Sequence, residues 1–350
     1  MRFERREQTS TALNILAPLA AVFAALCLAG VLIAIAGANV FEAYGLILSG
    51  AFGSRLGLTE TLTRATPLIL TGLAAAVAFR AKLWNIGGEG QFYVGALAIS
   101  AFGLIPALAG APAPIAILAC LCVGALAGAL LLLVPVTLKL RFGVDEVVTT
   151  LLLNFIVILF VSMMIEGPLK DPLAFGWPQS VPIPDSAILP QLVERSRLHA
   201  GLLIALGLAV VVWWVQSRTV FGMQARATGL NARAAAFAGV PLGRTLTLVA
   251  CLSGGLAGLA GAIEVMGVKG YVTTDLSPNY GYSGIVIAML ANRNPIGVIA
   301  AALFTAVMFV GADSMSRTLG IPSFIADVTV ALSLLTMLVA IFLTQYRVRR

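Results

Sequence analysis

Apolar runs, each bounded by charged residues, follow one another along this chain from Arg64 to Tyr346. A helix needs about 20 apolar residues to cross the hydrocarbon core of a membrane. The 350 residues are 60% hydrophobic and 11% charged, and the mean hydropathy is +1.00. A soluble domain carries about twice that charged fraction. The sequence therefore predicts an all-α integral membrane protein whose residues 1–350 form a single transmembrane domain.

Segments of this length predict about ten transmembrane helices. They are expected at residues 14–36, 65–80, 87–107, 113–138, 147–166, 198–216, 245–265, 282–292, 295–312 and 325–345. The second and eighth are short, so tilted, broken or partly re-entrant helices are expected there. The mildly amphipathic segment from Phe41 to Phe52 is expected along the outer membrane surface.

The basic residues favour an orientation with both termini in the cytoplasm. In that orientation 15 of the 22 Lys and Arg residues lie in inside segments and 7 lie outside, as the positive-inside rule requires. The cytoplasmic segments are then an N-tail at 1–13, a loop at 218–244 and a C-tail at 346–350. The same placement explains the net charge of +7 without nucleic-acid binding.

The longest predicted outside segment, from Gly167 to Gln191, is rich in proline. Its prolines are Pro168, Pro172, Pro178, Pro182, Pro184 and Pro190. Because proline removes a backbone donor and breaks helices, this segment predicts a rigid extracytoplasmic cap.

A short pattern, Asn-x-Gly-x-x-Gly, occurs twice, at Asn85 to Gly90 and at Asn279 to Gly284. Each copy opens an apolar helix, and the predicted topology puts them on opposite faces of the membrane. Spans 2–5 and 7–10 would then be inverted repeats, an arrangement common in transporters. In a chain with 35 glycines, coincidence is the alternative explanation.

Several polar residues are candidates for lining a translocation path: Asn85, Glu89, Gln91, Asn154 and Asn279. A carboxylate such as Glu89 is unfavourable near hydrocarbon unless it faces protein or water. The alternative for the first three is a capped helix start. Thr150 and Asn154 share a helix face, where the alternative is a hydrogen bond between helices.

The loop at 218–244 contains the signals of a short helix. Asn231 is a good N-cap, Ala232 to Ala238 are strong helix formers, and Gly239 followed by Pro241 ends the run. A helix this short needs a packing partner, so Leu230 and Phe237 are expected to contact another protein. The alternative is an ordinary basic linker.

The sequence also argues against two classes of protein, enzymes and ATP-binding subunits. Ser/His/Asp sets, Cys/His pairs and a Walker A motif are missing from the sequence, so neither an enzyme nor an ATP-binding subunit is expected. The four cysteines lie inside apolar runs, and the lone His199 starts a predicted span.

Small residues at four-residue spacing from Ser253 to Gly261 predict close helix packing.

Three segments carry a family resemblance: Leu83-Trp84-Asn85-Ile86-Gly87-Gly88-Glu89-Gly90-Gln91, Gly143-Val144-Asp145-Glu146-Val147 through Leu153-Asn154-Phe155, and Gly229-Leu230-Asn231-Ala232-Arg233-Ala234-Ala235 with Gly239. Over nearly its whole length the chain resembles the permease subunits of ABC importers for nucleosides and simple sugars. Ribose and branched-chain amino acid permeases are more distant relatives.

The resemblance implies a fold of about ten helices like that of the vitamin B12 importer, with a cytoplasmic coupling helix. It implies three partners: an ATPase subunit that binds ATP and Mg, a second permease, and an extracytoplasmic substrate-binding protein. The coupling role falls on Gly229, Leu230, Asn231, Arg233, Ala235, Phe237 and Gly239. No cofactor is expected in this chain itself.

The expected function is the import of nucleosides, purines or a related simple sugar across a bacterial inner membrane. The alternative is a secondary transporter or channel that works alone. Such proteins use acidic residues within the membrane for ion coupling, whereas the charges of these apolar runs lie at their edges.

Overall fold

The computed structural model describes residues 37–320 without a gap. It also describes residues 2–5, 23–24, 27–35 and 346–349, and scattered positions between 324 and 339. The predicted N-tail and the predicted first and last spans lie largely outside the described residues.

Helices form most of the described chain. They are α1 (Cys27–Ile35), α2 (Val40–Phe52), α3 (Arg55–Arg80), α4 (Gly88–Gly103), α5 (Pro106–Ala109), α6 (Ala113–Phe142), α7 (Glu146–Glu166), α8 (Gly201–Arg218), α9 (Val220–Leu230), α10 (Ala232–Phe237), α11 (Leu242–Glu264), α12 (Tyr280–Leu290) and α13 (Pro295–Leu319). A π-helical turn, Val265–Lys269, continues α11. Two short strands that the sequence did not predict, β1 (Arg2–Arg5) and β2 (Tyr346–Arg349), pair antiparallel.

Within the described residues, six helices are long and apolar enough to cross a membrane, or seven if the bent pair α1 and α2 counts as one. The six are α3, α6, α7, α8, α11 with its π-helical turn, and α13. This confirms a predominantly helical, multi-pass membrane protein. The ends of α6, α7, α8, α11 and α13 differ from the predicted spans by up to seven residues.

The second span is longer than predicted. Instead of a short segment between Arg64 and Arg80, α3 runs for 26 residues, and Arg64 lies inside the helix. In its polar N-terminal half, threonine hydroxyls donate to carbonyls of the preceding turn, as Thr61 does to Gly57 at 2.8 Å. These polar groups are therefore satisfied inside the helix. By contrast, α12 is short as predicted, with 11 residues.

The described chain divides into two compact units, residues 1–61 with 303–350, and residues 62–302. In the first, α2 lies against the second half of α13. A Cβ on Gly311 would come within 2.5 Å of the Ile47 carbonyl oxygen, so glycine permits this contact. The segment predicted along the membrane surface is thus a helix, α2, within this unit.

The core of the second unit consists of α4, α6 and α11. Glycines on the three helices face one another so closely that a Cβ on Gly258 would overlap the backbone of Gly124 and Gly128. A Cβ on Gly95 would overlap the backbone of Gly258 in the same way. This confirms the close packing predicted from the small residues at 253–261.

The proline-rich segment is largely non-helical, as predicted, and runs along the end of α11. Backbone amides of Ser180, Ile183 and Leu189 donate to carbonyls of Val272, Gly270 and Met266, each at 2.9 Å. These bonds fix the segment against the π-helical turn.

Candidate functional site

Two helix starts meet inside the second unit. The Glu89 carboxylate at the start of α4 accepts a hydrogen bond from the Gly281 amide at the start of α12, at 2.7 Å. A Cβ on Gly281 would overlap the Glu89 backbone. The two Asn-x-Gly-x-x-Gly motifs are therefore in contact, which the sequence did not predict.

The cap on α12 explains this contact. Asn279 occupies the N-cap position with φ +64°, and its side chain makes no capping bond. Free amides at a helix start need acceptors and favour negative charge. Glu89 supplies the missing acceptor from another helix.

Asn85 and Gln91 form a reciprocal pair of amide hydrogen bonds, each 2.9 Å long. Asn85 also accepts from the Gly87 amide at 3.0 Å and donates to the Ser253 hydroxyl at 3.1 Å. The Ser253 hydroxyl in turn donates to the Ala74 carbonyl at 2.7 Å. Asn85 thereby connects the start of α4 with α11 and α3.

One face of α7 holds the loop between α3 and α4. Glu146, Thr150 and Asn154 are spaced four residues apart and are all buried. Glu146 and Thr150 accept from the amides of Trp84 and Ile86, each at 3.3 Å. The spacing confirms that Thr150 and Asn154 share a face.

Asn154 uses both ends of its amide. Its oxygen accepts from the Gly90 amide at 2.8 Å, and its nitrogen donates to the Ile86 carbonyl at 2.9 Å. The nitrogen also donates to the Tyr282 hydroxyl at 3.1 Å, which reaches α12. One side chain thus connects α7, α4 and α12, and the buried backbone groups of the loop find the partners they need.

We call this cluster, Asn85, Glu89, Gln91 and Asn154 with the start of α12, the polar junction. Its four side chains are at most 3% exposed and hydrogen-bonded within the chain. Asn279 is exposed at its edge. No sequence signal indicated that Ser253 and Tyr282 belong to this cluster. The four-residue spacing of Glu146, Thr150 and Asn154 did indicate that these three side chains share one face of α7.

The described residues contain no group of three or more His, Cys, Asp or Glu side chains placed to hold a metal ion. The polar junction consists of amides, hydroxyls and one carboxylate that cap and connect helices.

The loop at 218–244 contains two helices, whereas one was predicted. The expected helix is α10, where Asn231 accepts from the Ala234 amide at 3.1 Å and Gly239 follows the helix with φ +83°. The helix that the sequence did not predict is α9. Thr219 caps it by accepting from the Gly222 amide at 3.2 Å, so an N-cap threonine was the available signal.

Some of the predicted coupling residues are exposed to solvent and others are buried. The side chains of Leu230 and Phe237 are 72% and 97% exposed, and Asn231 and Arg233 are also exposed. Ala235 is buried, and so is Gly229. A Cβ on Gly229 would overlap the Arg80 carbonyl, so glycine lets α9 rest against the end of α3.

The long apolar helices and the polar junction buried between them define a multi-pass helical membrane protein. Residues 57–342 match the model of the family described as branched-chain amino acid transport system / permease component, and the chain belongs to this family.

Relatives agree with this assignment. The glucose ABC transporter permease protein TsgB13 of Haloferax volcanii is 34% identical over 95% of this chain and 89% of its own length. The guanosine ABC transporter permease protein NupP of Bacillus subtilis is 34% identical over 92% of each chain. A second guanosine ABC transporter permease protein of that bacterium, NupQ, is 28% identical over 70% of this chain and 77% of its own.

The chain is therefore a permease subunit of an ABC transporter, and ATP hydrolysis belongs to a separate subunit. This confirms the family and the kind of function that the sequence predicted.

Proposed function

We propose that this permease serves a binding-protein-dependent importer that moves nucleosides, purines or related sugars into the bacterial cytoplasm. The relatives that carry guanosine and glucose support this range, because a nucleoside contains both a purine or pyrimidine base and a sugar ring. The stand-alone secondary transporter is the competing function that the experiment below tests.

The proposed partners are an ATPase that binds ATP and Mg, an extracytoplasmic binding protein and a second, paralogous permease. The similarity of this chain to both NupP and NupQ of one bacterium supports a pair of related permeases. Specificity would then be shared with the binding protein, which meets the substrate first.

The observation that carries the coupling mechanism is the exposure of Phe237 on α10. A helix of six residues is not stable by itself, yet this one is capped at Asn231 and presents an aromatic side chain that is 97% exposed. Aromatic anchors of this kind fill pockets in partners. Leu230, Phe237 and Arg233 would contact the ATPase, whereas Gly229, Asn231, Ala235 and Gly239 would set the shape of the loop.

For topology we propose ten spans in the bacterial inner membrane, with both termini cytoplasmic. The pairing of β1 with β2 supports an even number of spans, because it puts the two ends side by side. The repeated motif at the starts of α4 and α12 supports inverted repeats in a fold like that of the vitamin B12 importer.

We place the translocation path beside the polar junction. Transporters use interrupted helices whose N-termini face a polar substrate, and both α4 and α12 begin at this point. In this proposal Asn85, Glu89, Gln91 and Asn154 hold the two helix starts in position, and the exposed Asn279 contacts solute.

Reconstitution in proteoliposomes tests the mechanism. The chain, its co-encoded permease, ATPase and binding protein are expected to take up guanosine, a purine base or ribose only when ATP is supplied. Phe237→Ala should abolish both ATPase co-purification and uptake. Phe155→Ala is the matched control, because Phe155 is 57% exposed on the apolar face of α7. Full uptake by this chain alone would overturn the proposal in favour of a secondary transporter.

A further inference from the structure

An open cavity of about 640 Å³ lies where α3 and α8 end and α9 begins. Its lining is strongly basic and includes Arg80, Gln216, Arg218, Thr219, Met223 and Arg226. Neither the proposed coupling surface nor the polar junction uses it.

Among the described residues, no carboxylate forms an ion pair with the arginines around this cavity. Gln216, which is buried, accepts a hydrogen bond from the Arg80 guanidinium at 2.8 Å and so holds that group in place. The charges of Arg226 and Arg293 act on Arg80 with the same sign and repel it. The ion pairs of Lys139 with Glu146 and of Lys269 with Asp275, in the part of the chain that the structure describes, involve none of these arginines. A cluster of like charges held in this way is stabilised by a bound anion.

The position of the cavity, at the ends of two long apolar helices, indicates which kind of anion it binds. Arg80 is the last residue of α3 and Arg218 is the last residue of α8, and both helices are long and apolar enough to span the membrane. The cavity therefore lies at the depth where hydrocarbon gives way to head groups.

Apolar side chains beside the cavity agree with this depth. Trp214, one turn before the end of α8, is 55% exposed, and tryptophan is enriched at membrane interfaces. Val220 and Met223, which line the cavity, are 66% and 63% exposed. A site for a soluble anion would have no need of an exposed apolar border.

We propose that this cavity binds the phosphate head group of an anionic phospholipid. Arg80, Arg218 and Arg226 contact the phosphate oxygens, and the acyl chains lie against Trp214 and Val220. Arginine suits this role because its planar guanidinium binds phosphate oxygens in pairs. Basic pockets between helix ends are a known form of head-group recognition.

Native mass spectrometry of the purified full chain tests the proposal, with phosphatidylglycerol titrated against zwitterionic phosphatidylethanolamine. The wild-type chain is expected to retain phosphatidylglycerol preferentially. Arg80→Gln combined with Arg226→Gln should weaken this binding roughly 25-fold, since one arginine near a membrane surface is worth about fivefold. Arg141→Gln is the matched control, because Arg141 is an exposed arginine at the end of α6 and does not line the cavity.

A second variant keeps the test valid if the double glutamine variant fails to fold. Arg80→Lys with Arg226→Lys preserves both charges and should retain preferential binding, with only a few-fold loss. Equal retention of phosphatidylglycerol by the wild type, the glutamine variant and the control would overturn the proposal. Displacement of the lipid by inorganic phosphate at equal concentration would show a soluble phosphate site instead. The glutamine variant could instead keep its lipid binding and no longer co-purify with the ATPase from cells that express both. That result would show an acidic protein surface as the occupant of the cavity.

Discussion

The carboxylate of Glu89 accepts a hydrogen bond from the amide of Gly281, 192 positions later in the chain, at 2.7 Å. The first turn of α4 thereby caps the first turn of α12. Because Glu89 is only 2% exposed, the bond is formed away from water, where an unpaired charge or amide is strongly unfavourable. This contact therefore helps to fix the relative position of the two helix starts, together with the hydrogen bond from Asn154 to Tyr282.

Replacing Glu89 should destabilise the chain. Glu89→Ala leaves the Gly281 amide without its acceptor, and we expect the free energy of unfolding to fall by about 2–3 kcal/mol. Glu89→Gln keeps an acceptor oxygen and should lose less. Thermal unfolding of the purified chain in detergent measures both, with Glu42→Ala on the exposed side of α2 as the control. If Glu89→Ala and Glu42→Ala unfold at the same temperature, the carboxylate does not cap α12.

Local signals were sufficient to predict several elements. The N-cap Asn231 and the terminating Gly239 defined α10 almost to the residue, because caps act within one turn. The prolines between Gly167 and Gln191 excluded a helix there for an equally local reason. Apolar runs of membrane length located α6, α7, α8, α11 and α13.

Features that depend on distant partners were not predictable in this way. The charge of Arg64 predicts a helix boundary, but α3 continues through it, and the hydroxyl of Thr61 is satisfied within the helix. The spacing of Thr150 and Asn154 indicated a shared face but not its partner, the loop at Trp84 and Ile86. The contact between Glu89 and Gly281 joins two motifs that the sequence placed on opposite faces.

Asn154 provides a test of the hydrogen bonds between α7 and the loop that joins α3 to α4. Asn154→Asp keeps an acceptor for the Gly90 amide. It also places a carboxylate against the Ile86 carbonyl, to which the wild-type side-chain amide donates a hydrogen bond. We expect a loss of about 3 kcal/mol in the free energy of unfolding, because a buried charge is left beside an acceptor. Thermal unfolding in detergent provides the measurement, and Phe155→Leu on the neighbouring exposed face is the control. A stable Asn154→Asp variant would contradict the assigned orientation of the amide.

The glycine contacts between α6 and α11 predict a strong asymmetry between two identical substitutions. Gly258→Ala forces a methyl group into the backbone of Gly124 and Gly128, and overpacking of this kind destabilises by about 1–3 kcal/mol. Gly207→Ala on α8 meets no atom within 4 Å, and it should be neutral or stabilise the helix by up to about 1 kcal/mol. Equal melting temperatures for the two variants would show that the helices are not packed this closely.

His199 makes stability depend on pH. It lies two residues before α8, outside the spans, and burial lowers the pKa of His199 to about 4. Its Nδ1 accepts from the Gly201 amide at 3.1 Å, so Nε2 carries the proton, and Nε2 has no hydrogen-bond partner within the described structure. The folded chain therefore holds this imidazole neutral.

The sign of the effect follows from the two states. In the unfolded chain His199 takes up a proton near its ordinary pKa of about 6.5, whereas the folded chain does so only near 4. The unfolded state binds more protons between these values, so stability falls as the pH falls through this window, by about 3 kcal/mol at most. Above about pH 7 the group contributes no pH dependence.

The variant His199→Asn isolates this contribution. Its side-chain oxygen can replace Nδ1 as the acceptor for Gly201, and it does not titrate between about pH 7 and pH 4. Melting temperatures of the wild type should decline more steeply over this window than those of His199→Asn, and the two should differ by a constant amount above it. Parallel curves through the whole window would mean that His199 is protonated as readily in the folded chain as in the unfolded one.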